Sequence, residues 1–88
     1  MYFLYILKSN KKEWYYVGIT SNVEARLVRH NKGLVRSTKS RIPYELVYTE
    51  TYLNKTSARK RELEVKGNWQ IKKGIIDKFK IEKNGAIV

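Results

Sequence analysis

Eighty-eight residues with 42% apolar content are expected to make one small domain with little core to spare, and no inserted second domain. Nineteen Lys and Arg against 8 Asp and Glu give a formal net charge of +11, far more than solubility requires, so a polyanionic partner is expected. The absence of cysteine removes disulfides, zinc–thiolate sites and thiol nucleophiles, and one histidine does not make a conventional zinc site, so any metal must be held largely by oxygen.

Nucleic acid leads among the polyanions. A membrane surface would call for a strongly amphipathic basic helix or a lipidation signal, and neither stands out. The longest apolar run, Tyr2 to Leu7, is far too short to span a bilayer, and no basic segment with a cleavage site precedes it. A cytoplasmic location is expected.

In chain order, Tyr2 to Leu7 reads as a strand apolar on both faces. Ser9 to Glu13 is a polar turn, and Trp14 to Thr20 is again aromatic and β-branched, so the two runs should pair as an antiparallel hairpin. Ser21-Asn22-Val23-Glu24 has the form of a capping box, predicting a helix from there to about Lys32, with Gly33 free to take the left-handed terminal conformation. Leu34 to Pro43 reads as an exposed basic loop, and Tyr44 to Tyr52 as a third strand. Asn54 or Thr56 can cap a second helix reaching roughly to Trp69, and Ile71, Ile75 and Phe79 at four-residue spacing predict a third. The expected fold is α+β, in the order β-β-α-β-α-α. A three-stranded, largely antiparallel sheet is flanked by helices over residues 1–80, and residues 81–88 form a C-terminal tail.

Glu62 is the most telling residue. It fills the vacant place in the stripe Ala58, Val65 and Trp69, so its carboxylate should point inward or along the core edge. A buried carboxylate needs a cation, a metal or a cluster of donors, and a structural ion pair with an arginine stands at about even odds with a functional role. Arg26 and His30, four apart, project from one side of the first helix, and a guanidinium fork suits phosphate oxygens. Each alone reads more simply as a surface or packing residue. The seven tyrosines suit sheet packing or base stacking, and strand alternation lets only one of Tyr15 and Tyr16 face a given helix. Arg36, Lys39 and Arg41 in the loop, with Lys55, Arg59, Lys60, Arg61 and Lys66 on the second helix, offer phosphate contacts without base-specific readout.

Five segments in order resemble the GIY-YIG endonuclease superfamily, most closely its short members that consist of the catalytic domain alone. Leu4-Tyr5-Ile6 is similar to the first motif and Tyr16-Val17-Gly18-Ile19-Thr20 to the second. Arg26 to Asn31 resembles the segment with the helix arginine and histidine, Ser37-Thr38-Lys39 before Pro43 a stretch frequent in small members, and Ala58-Arg59-Lys60-Arg61-Glu62 with Lys66 the segment bearing the metal-binding glutamate. Leu4 stands where the family name has glycine, Val17 where it has isoleucine, and Thr20 where several members carry a basic residue.

The resemblance implies hydrolysis of DNA phosphodiesters with one divalent cation, Mg²⁺ or Mn²⁺, held by Glu62. Tyr5 would help deprotonate or position water, with nearby cations or metal-linked solvent favouring its ionised form. Arg26 would stabilise the pentavalent transition state, Tyr16 hold water or phosphate, and His30 orient Tyr5 or shuttle a proton. Arg36, Lys39, Arg41, Arg59 and Lys66 would hold the nucleic acid, and a partner protein would supply specificity. The alternatives are a noncatalytic nucleic-acid-binding module with the same fold and, more distantly, a basic protein-interaction domain.

Overall fold

The structure is a computed structural model that describes residues 1–83. Strand β1, Tyr2–Ser9, lies between β2, Tyr15–Thr20, and β3, Tyr44–Tyr52, and is antiparallel to both. Its central place explains the run with no polar alternation: Leu4, Tyr5, Ile6 and Leu7 are all buried because both faces of the sheet are covered.

Alternation along the strands divides these residues between two cores. Leu4, Ile6, Tyr15 and Val17 pack with Val65 of helix α2, Lys55–Gly67, and Ile76 of helix α3, Trp69–Lys83. Tyr5, Leu7 and Tyr44 face the other way and meet Val23 and Leu27 of helix α1, Val23–Asn31. Each fully buried aliphatic side chain contributes roughly 1.5–3 kcal/mol. The three strands, their pairing and the three helices match the expected α+β order.

Three boundaries depend on short polar side chains. The expected capping box at Ser21 is not formed. Asn22 caps α1 instead, its Oδ1 accepting from Ala25 N at 3.0 Å while Thr20 Oγ1 accepts from Asn22 N at 3.1 Å. At the far end, Gly33 takes φ 76°; its N–H donates to His30 O, and Leu34 N–H to Arg29 O, both at 3.0 Å, closing the helix as expected.

Helix α2 is capped by Asn54 but stops at Gly67, short of the expected Trp69. Asn68 is extended, and its Oδ1 accepts from the amides of Gln70 at 2.9 Å and Ile71 at 3.3 Å, which starts α3. Trp69 therefore leaves the α2 stripe and stands 67% exposed, while Ala58, Glu62 and Val65 keep their buried places. Helix α3 runs past residue 80 to Lys83; the rest of the expected tail lies outside the described residues.

Two polar staples fix the loop between α1 and β3. Asn31 accepts from Tyr44 N at 2.7 Å and donates to Tyr44 O at 3.1 Å, and buried Ser9 donates to Arg41 O at 2.7 Å. The loop is thereby held against the face of the sheet that carries Tyr5 and Tyr16, where Ile42 packs with them.

Candidate functional site

Tyr5 pairs across the strands with Gly18. A Cβ at Gly18 would stand 2.7 Å from Tyr5 Oη and 2.8 Å from Cζ, so the phenol lies across β2 only because that position has no side chain. Of the adjacent tyrosines, Tyr16 shares this face, its ring centroid 6.1 Å from that of Tyr5, while Tyr15 joins the opposite core.

Helix α1 delivers Arg26 and His30 to the same hydroxyl. Arg26 Nε donates to Tyr5 Oη at 3.4 Å, and Tyr5 Oη lies 2.9 Å from Nε2 of the fully buried His30. His30 Nδ1 is 2.7 Å from Thr38 Oγ1, which donates to Val35 O at 3.3 Å. Proton counting assigns the tautomer. Thr38 has a single hydroxyl proton, directed at Val35 O, so His30 Nδ1–H donates to Thr38 and Nε2 accepts from Tyr5 O–H. Every polar atom then has a partner, consistent with the lack of unsatisfied buried side-chain atoms among the described residues. Tyr44 Oη donates to Thr38 O at 3.0 Å, holding the loop that carries the threonine.

Burial sets the protonation states. It pushes the Tyr5 phenol up to about 12, outweighing the hydrogen bond from Arg26, with Tyr16 and Glu62 raising it further. Without a metal, desolvation disfavours the phenolate more than one partly solvated guanidinium favours it, so of the two expected aids to ionisation the arginine alone does not suffice. The same burial, with the charges of Arg26 and Arg29, brings His30 down to about 4, so the imidazole is neutral at neutral pH and its Nε2 is a free acceptor for the phenol's proton.

Glu62 is 4% exposed and lies on α2, near enough to raise the pKa of Tyr5. Both its oxygens are paired, Oε1 with Arg59 Nη1 at 2.7 Å and Oε2 with Lys66 Nζ at 3.1 Å. The ion pair weighed at even odds from the sequence is therefore present. Lys66 Nζ also lies 5.6 Å from the Tyr16 ring centroid, so α2 brings a cation to the second tyrosine, where Thr20 carries none.

The basic residues divide. Arg36 and Lys39 are exposed on the loop, while Arg41 lies over the Trp14 ring at 4.5 Å. Arg59 and Lys66 hold Glu62. Arg61, expected among the phosphate contacts, is engaged within the fold: its Nε and Nη2 donate to Glu50 on β3 at 3.0 and 3.2 Å, and Tyr52 Oη donates to the same carboxylate at 2.6 Å. Arg61 locks α2 to the sheet.

Among the described residues no three acidic or imidazole side chains converge on a metal position. The Glu62 carboxylate is nevertheless a hard oxygen donor of the kind divalent cations such as those of phosphoryl-transfer sites take, one or two carboxylates being completed by waters and substrate phosphates. No helix among the described residues is long and apolar enough to cross a membrane.

Thr38 and Asn31 were visible in the sequence only as parts of motifs. No periodicity marks a loop threonine as the hydrogen-bond partner of a histidine eight residues earlier.

An antiparallel sheet in the order β2-β1-β3, with Tyr5 and Tyr16 on one face and Glu62 carried by α2, defines a small fold of GIY-YIG type. Residues 1–73 match the GIY-YIG catalytic domain, and the chain belongs to that family. A UPF0213 protein of Staphylococcus epidermidis is 47% identical over 66 residues, covering 74% of this chain and 79% of that one. Another, from Natronomonas pharaonis, is 40% identical over 73 residues, covering 82% and 85%. The solution NMR structure of a UPF0213 protein from Bacillus halodurans matches with a TM-score of 0.54 at 30% identity, covering 88% of this chain and 84% of that one.

Proposed function

We propose that the protein is a divalent-metal-dependent endonuclease that hydrolyses phosphodiester bonds in DNA. The observation that carries this reading is the hydrogen-bonded line Arg26–Tyr5–His30–Thr38, with the charge of buried Glu62 felt at Tyr5. A binding surface has no need of a buried phenol whose proton has a ready acceptor, or of a buried carboxylate on the helix that packs nearby.

Tyr5 acts as a relay and need not ionise in the resting enzyme. As its oxygen takes a proton from the attacking water, its own proton passes to His30 Nε2, so no phenolate accumulates. The imidazolium so formed is disfavoured at rest by burial and by Arg26 and Arg29. Negative charge developing on the pentavalent phosphorus offsets that cost, and Arg26 stabilises the same charge. Thr38 holds the tautomer in which Nε2 can accept. Tyr16, with Lys66 over its ring, positions the water or a non-bridging oxygen. Glu62 would hold a single Mg²⁺ or Mn²⁺, which supplies Lewis-acid polarisation of the phosphate and stabilises the departing 3′ oxygen. Arg59 and Lys66 are then available to phosphate oxygens, joining Arg36, Lys39 and Arg41 in backbone binding.

The paired state of Glu62 favours a second reading, a noncatalytic nucleic-acid-binding module in which Arg59–Glu62–Lys66 is purely structural. Cleavage assays with Mg²⁺ and Mn²⁺ on duplex, branched and single-stranded DNA and on RNA separate the two. The nuclease reading expects cutting that Glu62→Ala abolishes while most binding survives. No cutting of any substrate with either metal establishes the binding module.

A further inference from the structure

Trp69 stands in the first turn of α3 with 67% of its surface exposed, although an indole is the most costly side chain to leave in water. It lines a cavity of about 310 Å³ together with Trp14, Tyr15 and Ile76, and Lys72, Lys73 and Lys80 stand at the same cavity. One lining residue, Trp14, links the cavity to the candidate site. Trp14 and Tyr16 have ring centroids 6.4 Å apart, and Lys66, which holds Glu62, lies over Tyr16. Tyr15 and Ile76 also belong to the core, but neither the phosphodiester chemistry nor the packing of the fold accounts for the exposed indole of Trp69.

We propose that the cavity is a stacking subsite for an unpaired base of the substrate strand, so that the protein prefers nucleic acid with a single-stranded stretch beside the scissile bond. The inference rests on the nucleic-acid reading of the site above. Aromatic rings interleaved with cations are what a single strand requires, one for the base face and the other for the phosphates; bases within a duplex are already stacked on each other and present no free face. Lys73 and Lys80 are paired with Asp77 at 2.7 Å and Glu13 at 2.6 Å, but the lysines are 54% and 47% exposed, and such surface pairs are weakly held and yield readily to phosphate. Lys72 Nζ donates to Tyr15 O at 3.2 Å and fixes the cavity wall. Charge decides against a second copy as the occupant: bringing together two chains of formal net charge +11 opposes association, and the same charge attracts a polyanion.

The test is a metal-free titration of the Trp14→Phe variant, which isolates Trp69 emission, with an oligothymidylate and with a blunt duplex of matched length. Saturable quenching by the single strand is expected. Trp69→Ala should lower single-strand affinity by about tenfold, with Trp69→Phe restoring part of it and duplex affinity changing by less than about twofold. Equal losses on both substrates, an absence of quenching, or self-association of the wild type that Trp69→Ala disperses would each overturn the subsite. Because no metal is present, the result is independent of cleavage. A protein that stacks single strands but never cuts keeps the subsite and loses the nuclease, and one that cuts without quenching does the reverse.

Discussion

Tyr5 Oη and His30 Nε2 stand 2.9 Å apart in residues 1% and 0% exposed, so two titratable groups share one proton within the packed interior. Desolvation moves them in opposite senses, the phenol up and the imidazole down, and the neutral pair is the state that the fold selects.

That selection gives stability a defined pH window. His30 titrates at about 4 when folded, against a reference of 6.5, so its contribution is complete above pH 6.5 and is lost as pH falls towards 4. Tyr5 titrates at about 12 against 10.0, so its contribution is complete below pH 10 and is lost as pH rises towards 12. Urea denaturation should show a plateau between these limits and an acid loss of about 2–3 kcal/mol attributable to His30. His30→Gln should flatten the acid limb; an unchanged limb would place the acid sensitivity in the carboxylates.

Thr38 is a positioning residue for His30. Thr38→Val keeps the volume but removes the acceptor of the Nδ1 proton, at a cost of about 1–3 kcal/mol, and Thr38→Ser should recover most of it. If His30 relays the proton of Tyr5, the valine variant also loses kcat with KM nearly unchanged and shifts the pH–rate profile. A loss of stability with an unaltered pH profile confines Thr38 to a structural role.

Gly18→Ala puts a methyl group 2.7 Å from Tyr5 Oη and 2.9 Å from Tyr16 Cε2. Both rings must move, so thermal unfolding should report a loss of about 1–3 kcal/mol and catalysis should fall with it. Gly67→Ala is the control, since nothing lies within 4 Å of a Cβ there and it should leave both unchanged.

Two groups of arginine and lysine should separate in a salt titration. Arg61→Ala strips Glu50 of its guanidinium partner, so stability should fall by about 1–3 kcal/mol with the salt dependence of binding intact. Arg36→Ala or Lys39→Ala should leave stability within about 0.5 kcal/mol of wild type and reduce the slope of log affinity against log salt by about 0.7–0.9. A flat slope in the wild type would remove nucleic acid as the partner.

The sequence by itself determined what depends on near neighbours along the chain. The uninterrupted apolar run Leu4–Leu7 required a strand covered on both faces, Ala58, Glu62 and Val65 fell at helical spacing and are buried, Asn54 opens α2 with its side-chain cap, and Gly33, with no side chain, closes α1 at a positive φ. The order of the short motifs was enough to indicate the family. Competition among equivalent local signals was not legible: Ser21 and Asn22 can each cap α1, and only the register of Thr20 against Phe3 favours Asn22. Nor did helical spacing show that Asn68 would divide α2 from α3 and turn Trp69 out to solvent. Tertiary structure decided the protonation states and the pairings across long separations, Tyr5 with His30, His30 with Thr38 and Glu50 with Arg61. The physical reason is desolvation, which is set by everything packed around a group. Burial left Tyr5 a neutral phenol despite the arginine beside it, and no pattern along the chain encodes that balance.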